Sequence, residues 1–349
     1  MRYQEPDRLN PSVLFYKRLD DIMETGIYTN GKYVEQFEKE YRETFKLDAE
    51  CVAVNGCQSG LMLVLKALHI NHPIVPDFTF SATANAAYWA CQHMQTGDCD
   101  KQTFNLKLKK LPHDIDAILA THIFGNPCEC DILRELCEPE QLPIIYDAAH
   151  AHGAYFDKRP VGEFGAASVF SLSPSKAVTA AEGGMVVTKD KVLADRIKIL
   201  RNYGTQYDYD QTIPELNARM SEVHAIIGLE SLMGYWSRFK HRLSLVEEYS
   251  GYFPDRLLQV TEPKGTHAWK DFSLLLGKKR DRVLLNLKRN GVEGKTYFRP
   301  VSDLECYRRL LTPKKNSYHL YNNIIQLPLH TNMTLHDVRK VCAIVGGTE

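Results

Sequence analysis

The chain has 349 residues, 44% apolar and 25% charged, and its 43 Lys and Arg are cancelled by 43 Asp and Glu. That is a globular composition, which excludes collagen, coiled coil or disorder as the main architecture, and the zero balance excludes the cationic surface of a general nucleic-acid binder. No apolar run approaches the roughly 20 residues that span a bilayer, and Met1–Asp7 has no apolar signal core. The nine cysteines, odd in number and irregular in spacing, read as reduced thiols of a cytoplasmic protein.

Over the first two thirds, short apolar runs alternate with helical patterns. Strands are predicted at Cys51–Asn55, Pro73–Pro76, Asp116–Phe124, Pro143–Asp147, Ala167–Leu172 and Gly184–Thr188, with helices at Gly60–Ile70, Ser81–Cys91, Glu129–Cys137 and Lys189–Asn202. Such alternation predicts an α/β fold, a large, mostly parallel sheet with helices on both faces. Tyr203–Pro214, rich in Tyr, Gln and Asp, reads as a loop, and Ser221–Arg242 as one long helix. Near residue 245 the pattern changes: a helix Leu245–Leu258, a strand Ala268–Leu276, a basic helix Lys278–Asn290, a strand Thr296–Phe298 and a helix Leu335–Val345. The expected division is a large domain over 1–244 and a small α+β domain over 245–349.

Open parallel sheets bind ligands at the carboxyl ends of their strands, so the loops there carry the candidates. Asp147 ends one apolar run; a buried carboxylate needs a cationic partner, or else serves as a helix cap. Lys176 follows in a Ser/Pro turn, after Ser171, Ser173 and Ser175 and before a Gly183-Gly184 hinge. An amine so placed suits a Schiff base with an aldehyde cofactor, and a pyridine cofactor also needs an anion at its ring nitrogen. The turn Asn55-Gly56-Cys57-Gln58-Ser59 leads from strand to helix and offers backbone N–H groups to a phosphate. It fits neither the G-x-G-x-x-G nor the Walker pattern. The aromatics of Pro76–Asn85 could pack in the core, or one of them could cover a planar ring. The cysteines and histidines lack zinc spacing, so no metal is expected, and the absence of G-x-S-x-G argues against a serine hydrolase.

These motifs, in this order, resemble the pyridoxal-phosphate-dependent sugar aminotransferases of the DegT/StrS group, which have the type I aminotransferase fold. The resemblance covers nearly the whole chain, from Gly26–Gly31 and the turn at 55–60 through Pro76–Asn85, Asp147–Gly153, Ser171–Lys176, Glu182–Gly184 and Asn217–Glu222 to Leu327–His330. It implies that Lys176 bonds the cofactor and moves the proton, that Asp147 meets the ring nitrogen and that His150 lies at the phenolic oxygen. It implies that Phe80 stacks on the ring, and that Gly56, Cys57, Gln58 and Ser171 hold phosphate. Asn217 would reach the neighbouring subunit's phosphate, making a homodimer with shared sites. Tyr203, Arg219, Arg299 and His330 would face the substrate, with Arg201 a further candidate for the pyrophosphate.

The implied reaction moves an amino group from L-glutamate to a nucleotide-linked keto-sugar, first to C4 of dTDP-4-keto-6-deoxyglucose, with a 3-keto-sugar as the alternative. Nucleic acid and membrane are not expected partners. Related dehydratases carry His at the lysine position, so Lys176 speaks against them; a non-catalytic regulator would lack Lys176 or Asp147. Where many relatives carry Thr the chain has Gln58, and where they carry His it has Tyr203.

Overall fold

The computed structural model describes residues 1–5, 9, 11–207, 210–211 and 213–347. Parts of the expected N-terminal segment (residues 6 and 7) and of the expected loop at 203–214 (residues 208, 209 and 212) lie outside the described residues.

A seven-stranded sheet is built from β1 (Glu50–Val54), β2 (Pro73–Pro76), β3 (Gln95–Gly97), β4 (Ala117–Thr121), β5 (Ile144–Asp147), β6 (Ala167–Ser171) and β7 (Gly184–Thr188). Its order is β1-β7-β6-β5-β4-β2-β3. Only β7 runs antiparallel to its neighbours; the other pairings are parallel. The strands read as continuous apolar runs because both faces are covered. Alternate residues serve two separate cores. Ala53, Ile118, Ala120, Tyr146, Phe170, Met185 and Val187 pack on one side; Val52, Val54, Leu119, Ile145, Val169 and Val186 pack on the other.

The first face is covered by α2 (Lys32–Thr44), α5 (Cys130–Cys137) and α7 (Glu222–Leu232), the second by α3 (Cys57–Ala67), α4 (Ser81–Ala90) and α6 (Lys191–Leu200). Helix α1 (Val13–Thr25) packs on α7. Two contacts show how closely these layers meet. A Cβ on Gly60 of α3 would stand 2.8 Å from Val169 of β6. The buried Glu222 carboxylate accepts the backbone N–H groups of Gly31, Tyr33 and Val34. It caps α2 from a distance, where the Gly31 N-cap has no side chain to do so.

The expected single helix over 221–242 is two. Helix α7 ends at Leu232, Gly234 turns the chain at φ 69°, and α8 (Tyr235–Ser250) starts again. A left-handed residue cannot continue a helix, and glycine takes that conformation freely. The expected helix at 245–258 is therefore the tail of α8, which stops before Pro254. The expected strand at 296–298 is only a bridge from Lys295 to Gln326. Residues 205–207 and 210–211 of the expected loop pair as a short hairpin.

The C-terminal part holds an antiparallel pair, β8 (Phe272–Leu275) and β9 (Ile324–Leu327), with α9 (Arg280–Arg289), α10 (Lys315–Asn323) and α11 (Leu335–Gly346). We propose that the chain divides at 244/245, supported by a separate apolar cluster that runs from Leu245 to Val345. Residues 297–324 also pack on the large sheet's side, through Phe298, Val301 and Tyr307. Among the described residues no helix is long and apolar enough to cross a membrane.

Candidate active site

Strand ends deliver polar or glycine residues to one edge of the sheet, two from the parallel neighbours β5 and β6 and one from beyond β1, the end strand that pairs antiparallel with β7. Asp147 closes β5, Ser171 closes β6, and Gly56 stands two residues beyond β1. Because β7 is reversed, its first residue, Gly184, lies at the same edge. A Cβ there would come within 2.7 Å of the Gly56 carbonyl and 2.8 Å of the Cys57 nitrogen. Glycine at 184 is what lets the strand and the Gly56 turn touch. Helix α3 then starts with no side-chain cap at Gly56. Its first N–H groups and dipole end are thus available to an anion. Ser171 Oγ donates to Ser173 Oγ at 3.3 Å, leaving two hydroxyls side by side at this edge.

Asp147 is buried, 4% exposed. One carboxylate oxygen accepts the Thr83 hydroxyl at 2.6 Å and the other accepts the Ala149 N–H at 3.0 Å. Thr83 in turn meets Thr79, which meets Thr121, so a chain of hydroxyls runs from α4 to the end of β4. Burial raises the Asp147 pKa, while Thr83, Ala149 and the Lys176 charge pull it back. The carboxylate therefore has few partners for a full buried charge, and a cation brought to it would be strongly held. The helix-cap alternative fails, since no helix of the fold starts at Asp147.

Lys176 sits in the turn after β6, its N–H bonded to the Ser173 carbonyl at 3.0 Å. Burial lowers its pKa, against the charges of Asp271, Cys57 and Asp147. A lysine held in this way has its neutral, nucleophilic form within easier reach. It lines a cavity of about 270 Å³ together with Gln4, Phe80, His150, Ser173, Ser175, Lys270, Tyr297 and Phe298. Phe80 is 60% exposed at the N-cap of α4 and presents its ring to this space. The His150 ring lies near-parallel to Phe124 and Phe298, each 6.1 Å away centroid to centroid. Burial, then the Lys176 charge, lowers its pKa, so the imidazole is neutral and can donate or accept.

The fold thus brings together Gly56, Cys57, Gln58, Phe80, Asp147, His150, Ser171 and Lys176. Cys57 Sγ is 4.0 Å from the Asp147 carboxylate. A cavity-lining amine, a buried carboxylate, an uncapped helix start and an open aromatic face fit a phosphorylated pyridine aldehyde. Each part of that group has one complementary feature.

The other candidates stand apart. Asn217 is exposed; its carbonyl accepts from Asn55 Nδ2 at 3.0 Å and its side chain accepts from Arg219 Nε at 3.1 Å. Arg219 also lies over the Tyr203 ring, 5.2 Å from its centroid. These three residues form a surface group beside the Gly56 turn rather than a wall of the cavity. Arg299 is paired with Asp303 at 2.6 Å on the surface, and His330 is buried outside the cavity lining. Arg201 corrects the expectation of a pyrophosphate ligand. It is buried, with Nη1 donating to Glu38 and to the Ala53 carbonyl at 2.7 Å each.

Sequence reasoning missed Thr83, Lys270, Asp271 and Tyr297. Thr83 falls within the highlighted segment 76–85, one helical turn beyond Phe80, and that spacing was the available signal. Lys270 and Asp271 interrupt an apolar run at the edge of β8, which is a signal too. Among the described residues no cluster of three or more His, Cys, Asp or Glu is placed to hold a metal.

The pattern of the DegT/DnrJ/EryC1/StrS aminotransferase family matches residues 13–346. GDP-perosamine synthase of Caulobacter vibrioides is 30% identical over 341 residues, covering 91% of this chain and 91% of that protein. UDP-4-amino-4,6-dideoxy-N-acetyl-beta-L-altrosamine transaminase of Campylobacter jejuni is 29% identical, covering 93% and 91%. dTDP-3-amino-3,4,6-trideoxy-alpha-D-glucose transaminase of Streptomyces venezuelae is 32% identical, covering 79% and 76%. The crystal structure of DesI in the presence of its TDP-sugar product superposes with a TM-score of 0.89 at 30% identity, over 99% of this chain and 93% of that one. With Lys176 and the buried Asp147 at one sheet edge, these matches establish that the chain belongs to the DegT/DnrJ/EryC1/StrS aminotransferase family and is a pyridoxal-phosphate-dependent enzyme.

Proposed function

We propose that the protein transfers an amino group from L-glutamate to a nucleotide-linked keto-sugar, at C4 of dTDP-4-keto-6-deoxyglucose, giving dTDP-4-amino-4,6-dideoxyglucose. The observation that carries the transfer is Lys176 on the cavity wall with the buried Asp147 carboxylate near enough for each to shift the other's pKa, an amine and an anion that the chemistry needs and a binding protein does not. The relatives support a nucleotide sugar as acceptor, since they are named for GDP, UDP and dTDP sugars. DesI, with its TDP-sugar product, supports the thymidine nucleotide. C3 amination is the second reading, favoured by the similarity to the dTDP-3-amino-sugar transaminase.

In this reading, the uncapped start of α3 at Gly56, Cys57 and Gln58, with Ser171, binds the phosphate. Phe80 covers one face of the ring. Asp147 holds a proton on the ring nitrogen, its buried carboxylate being served by the Thr83 hydroxyl, the Ala149 N–H and the more distant Cys57 thiol, with no cation in hydrogen-bond contact among the described residues. His150, neutral, meets the phenolic oxygen. When bound, pyridoxal phosphate supplies an electron sink for the carbon at which the amino group changes hands. Lys176 Nζ carries the proton to and from that carbon, aided by a pKa lowered through burial. Asn217 and Tyr203 are exposed beside the phosphate turn with the half-buried Arg219 between them, which supports the homodimer with shared sites that we propose. Nine free thiols suit a reducing, cytoplasmic setting.

The test is glutamate-dependent amination of a panel of dTDP-, UDP- and GDP-linked 3-keto and 4-keto sugars, read by mass spectrometry. The proposal predicts conversion of the keto group to CH–NH2, a net exchange of O for NH3 in the mass, with the dTDP-4-keto sugar first. Faster turnover of a 3-keto sugar overturns the position, and faster turnover of another nucleotide overturns the base.

A further inference from the structure

The cavity holds a second amine, this one buried, that the reaction outlined above leaves unused. Lys270 is 4% exposed and stands on the cavity wall with Lys176. Its backbone is fixed from two sides. The Lys270 N–H donates to the Phe124 carbonyl at 2.9 Å and Ala268 N–H to the Gly125 carbonyl at 2.9 Å. Trp269 between them is held at φ 48°, a conformation rare for a bulky residue. Its N–H donates to His267 Nδ1 at 2.7 Å, and the two rings stack 4.0 Å apart. The turn that presents Lys270 is therefore over-determined, as strained backbone at a functional position must be.

Asp271 follows, 1% exposed. Its Oδ1 accepts from the Tyr3 hydroxyl, from Gln4 Nε2 at 2.7 Å, from the Tyr297 hydroxyl at 3.1 Å and from Lys270 Nζ at 3.4 Å. Three neutral donors already serve this carboxylate, and the lysine contact is the longest of the four. An ammonium has three donors. Among the described residues, only the one to Asp271 is used. Burial brings the Lys270 pKa down to about 8, opposed by Asp271, so the group is still an ammonium at neutral pH.

Of the residues lining the cavity, only Lys176 and Lys270 can bring charge, His150 being neutral. Lys176 is committed to the cofactor. A buried cation with spare donors, facing a cavity, calls for an anion. Every amino-acid donor brings a carboxylate into this space beside the amino group it gives up. We propose that Lys270 is the carboxylate-binding residue of this cavity and holds the α-carboxylate of the amino donor, with Asp271 paired behind it. The proposal rests on the aminotransferase reading and adds the residue that recognises the donor.

The test mixes the holoenzyme with L-glutamate in the absence of sugar and follows loss of the visible band of the lysine-bound cofactor. Lys270→Gln is expected to raise the half-saturating glutamate concentration about 10- to 100-fold, the loss of a charge-assisted contact, with the starting band unmoved. Lys270→Arg should recover part of the loss. The double variant Lys270→Met with Asp271→Asn removes both buried charges, so neither is stranded, and should show the same donor defect. Calorimetric titration with 2-methylglutamate, which has no α-hydrogen to lose, should show the same weakening without turnover. Half-saturation within twofold of wild type in Lys270→Gln overturns the proposal. So does a defect confined to keto-sugars that carry a carboxylate, which would assign the cation to a sugar acid. If no amino acid bleaches the band of the wild-type protein, the proposed function falls, and the donor site with it. A responsive wild type with an unchanged variant overturns the donor site alone.

Discussion

Replacing Thr83 with Val removes one hydroxyl and almost no volume. That hydroxyl donates to Asp147 at 2.6 Å, deep in the protein. A hydrogen bond to a charged group contributes about 1.5–3 kcal/mol, which at about 1.4 kcal/mol per pKa unit is roughly 1–2 units on the carboxyl. Burial already raises the Asp147 pKa and Thr83 is the foremost group lowering it again, so the variant's pKa must rise further. The sign follows. The bond favours the ionised form, so its stabilisation is present above the carboxyl's folded pKa and is lost as pH falls through it. Urea unfolding of the cofactor-free protein should show Thr83→Val less stable by about 1.5–3 kcal/mol at pH 7, with the gap closing as the pH is lowered. The acid limb of kcat/KM for the amino donor should move up by about 1–2 pH units. A variant with unchanged unfolding and an unmoved acid limb would refute the claim that Thr83 sustains the Asp147 charge.

Asp147→Asn keeps the shape and removes the charge, so the ring nitrogen loses its proton's partner; turnover should fall at least about 100-fold, since each tenfold is about 1.4 kcal/mol, and a loss below threefold contradicts the role. Gly184→Ala places a methyl 2.7 Å from the Gly56 carbonyl; overpacking of this kind costs about 1–3 kcal/mol. It should weaken cofactor phosphate binding more than it lowers stability, measured by equilibrium dialysis against thermal unfolding, and unchanged cofactor affinity counts against the phosphate turn. Subunits carrying Lys176→Ala, mixed and exchanged with subunits carrying Asn217→Ala, should regain activity if each site draws on both chains, and exchange without recovery argues against sharing.

The layered fold was legible because a parallel sheet covered on both faces writes itself as short apolar runs between amphipathic helices. The strands at 73–76 and 184–188 match residue for residue. The site residues at strand ends were legible for the same reason: Asp147, Ser171 and Lys176 stop or follow an apolar run. What was lost depends on contacts between distant segments. The α2 cap by Glu222 joins residues 31 and 222, and local pattern carries no trace of it. The strand at 324–327 and its partner at 272–275 pair across 50 residues, and Gly234 hides a helix break inside an apolar stretch. Arg201 was misread because sequence shows its charge but not Glu38, which consumes it. Lys270 was passed over because its meaning comes from Asp271, Tyr3, Gln4 and Tyr297, groups drawn from both ends of the chain.

Two lysines, Lys176 and Lys270, face one cavity, and Lys176 is the one proposed to hold the cofactor. Borohydride reduction of the holoenzyme, followed by proteolysis and mass spectrometry, locates the pyridoxyl group directly. The added mass is expected on the peptide that contains Lys176, with the Lys270 peptide unmodified. Pyridoxyl mass on Lys270, or on neither, would contradict it.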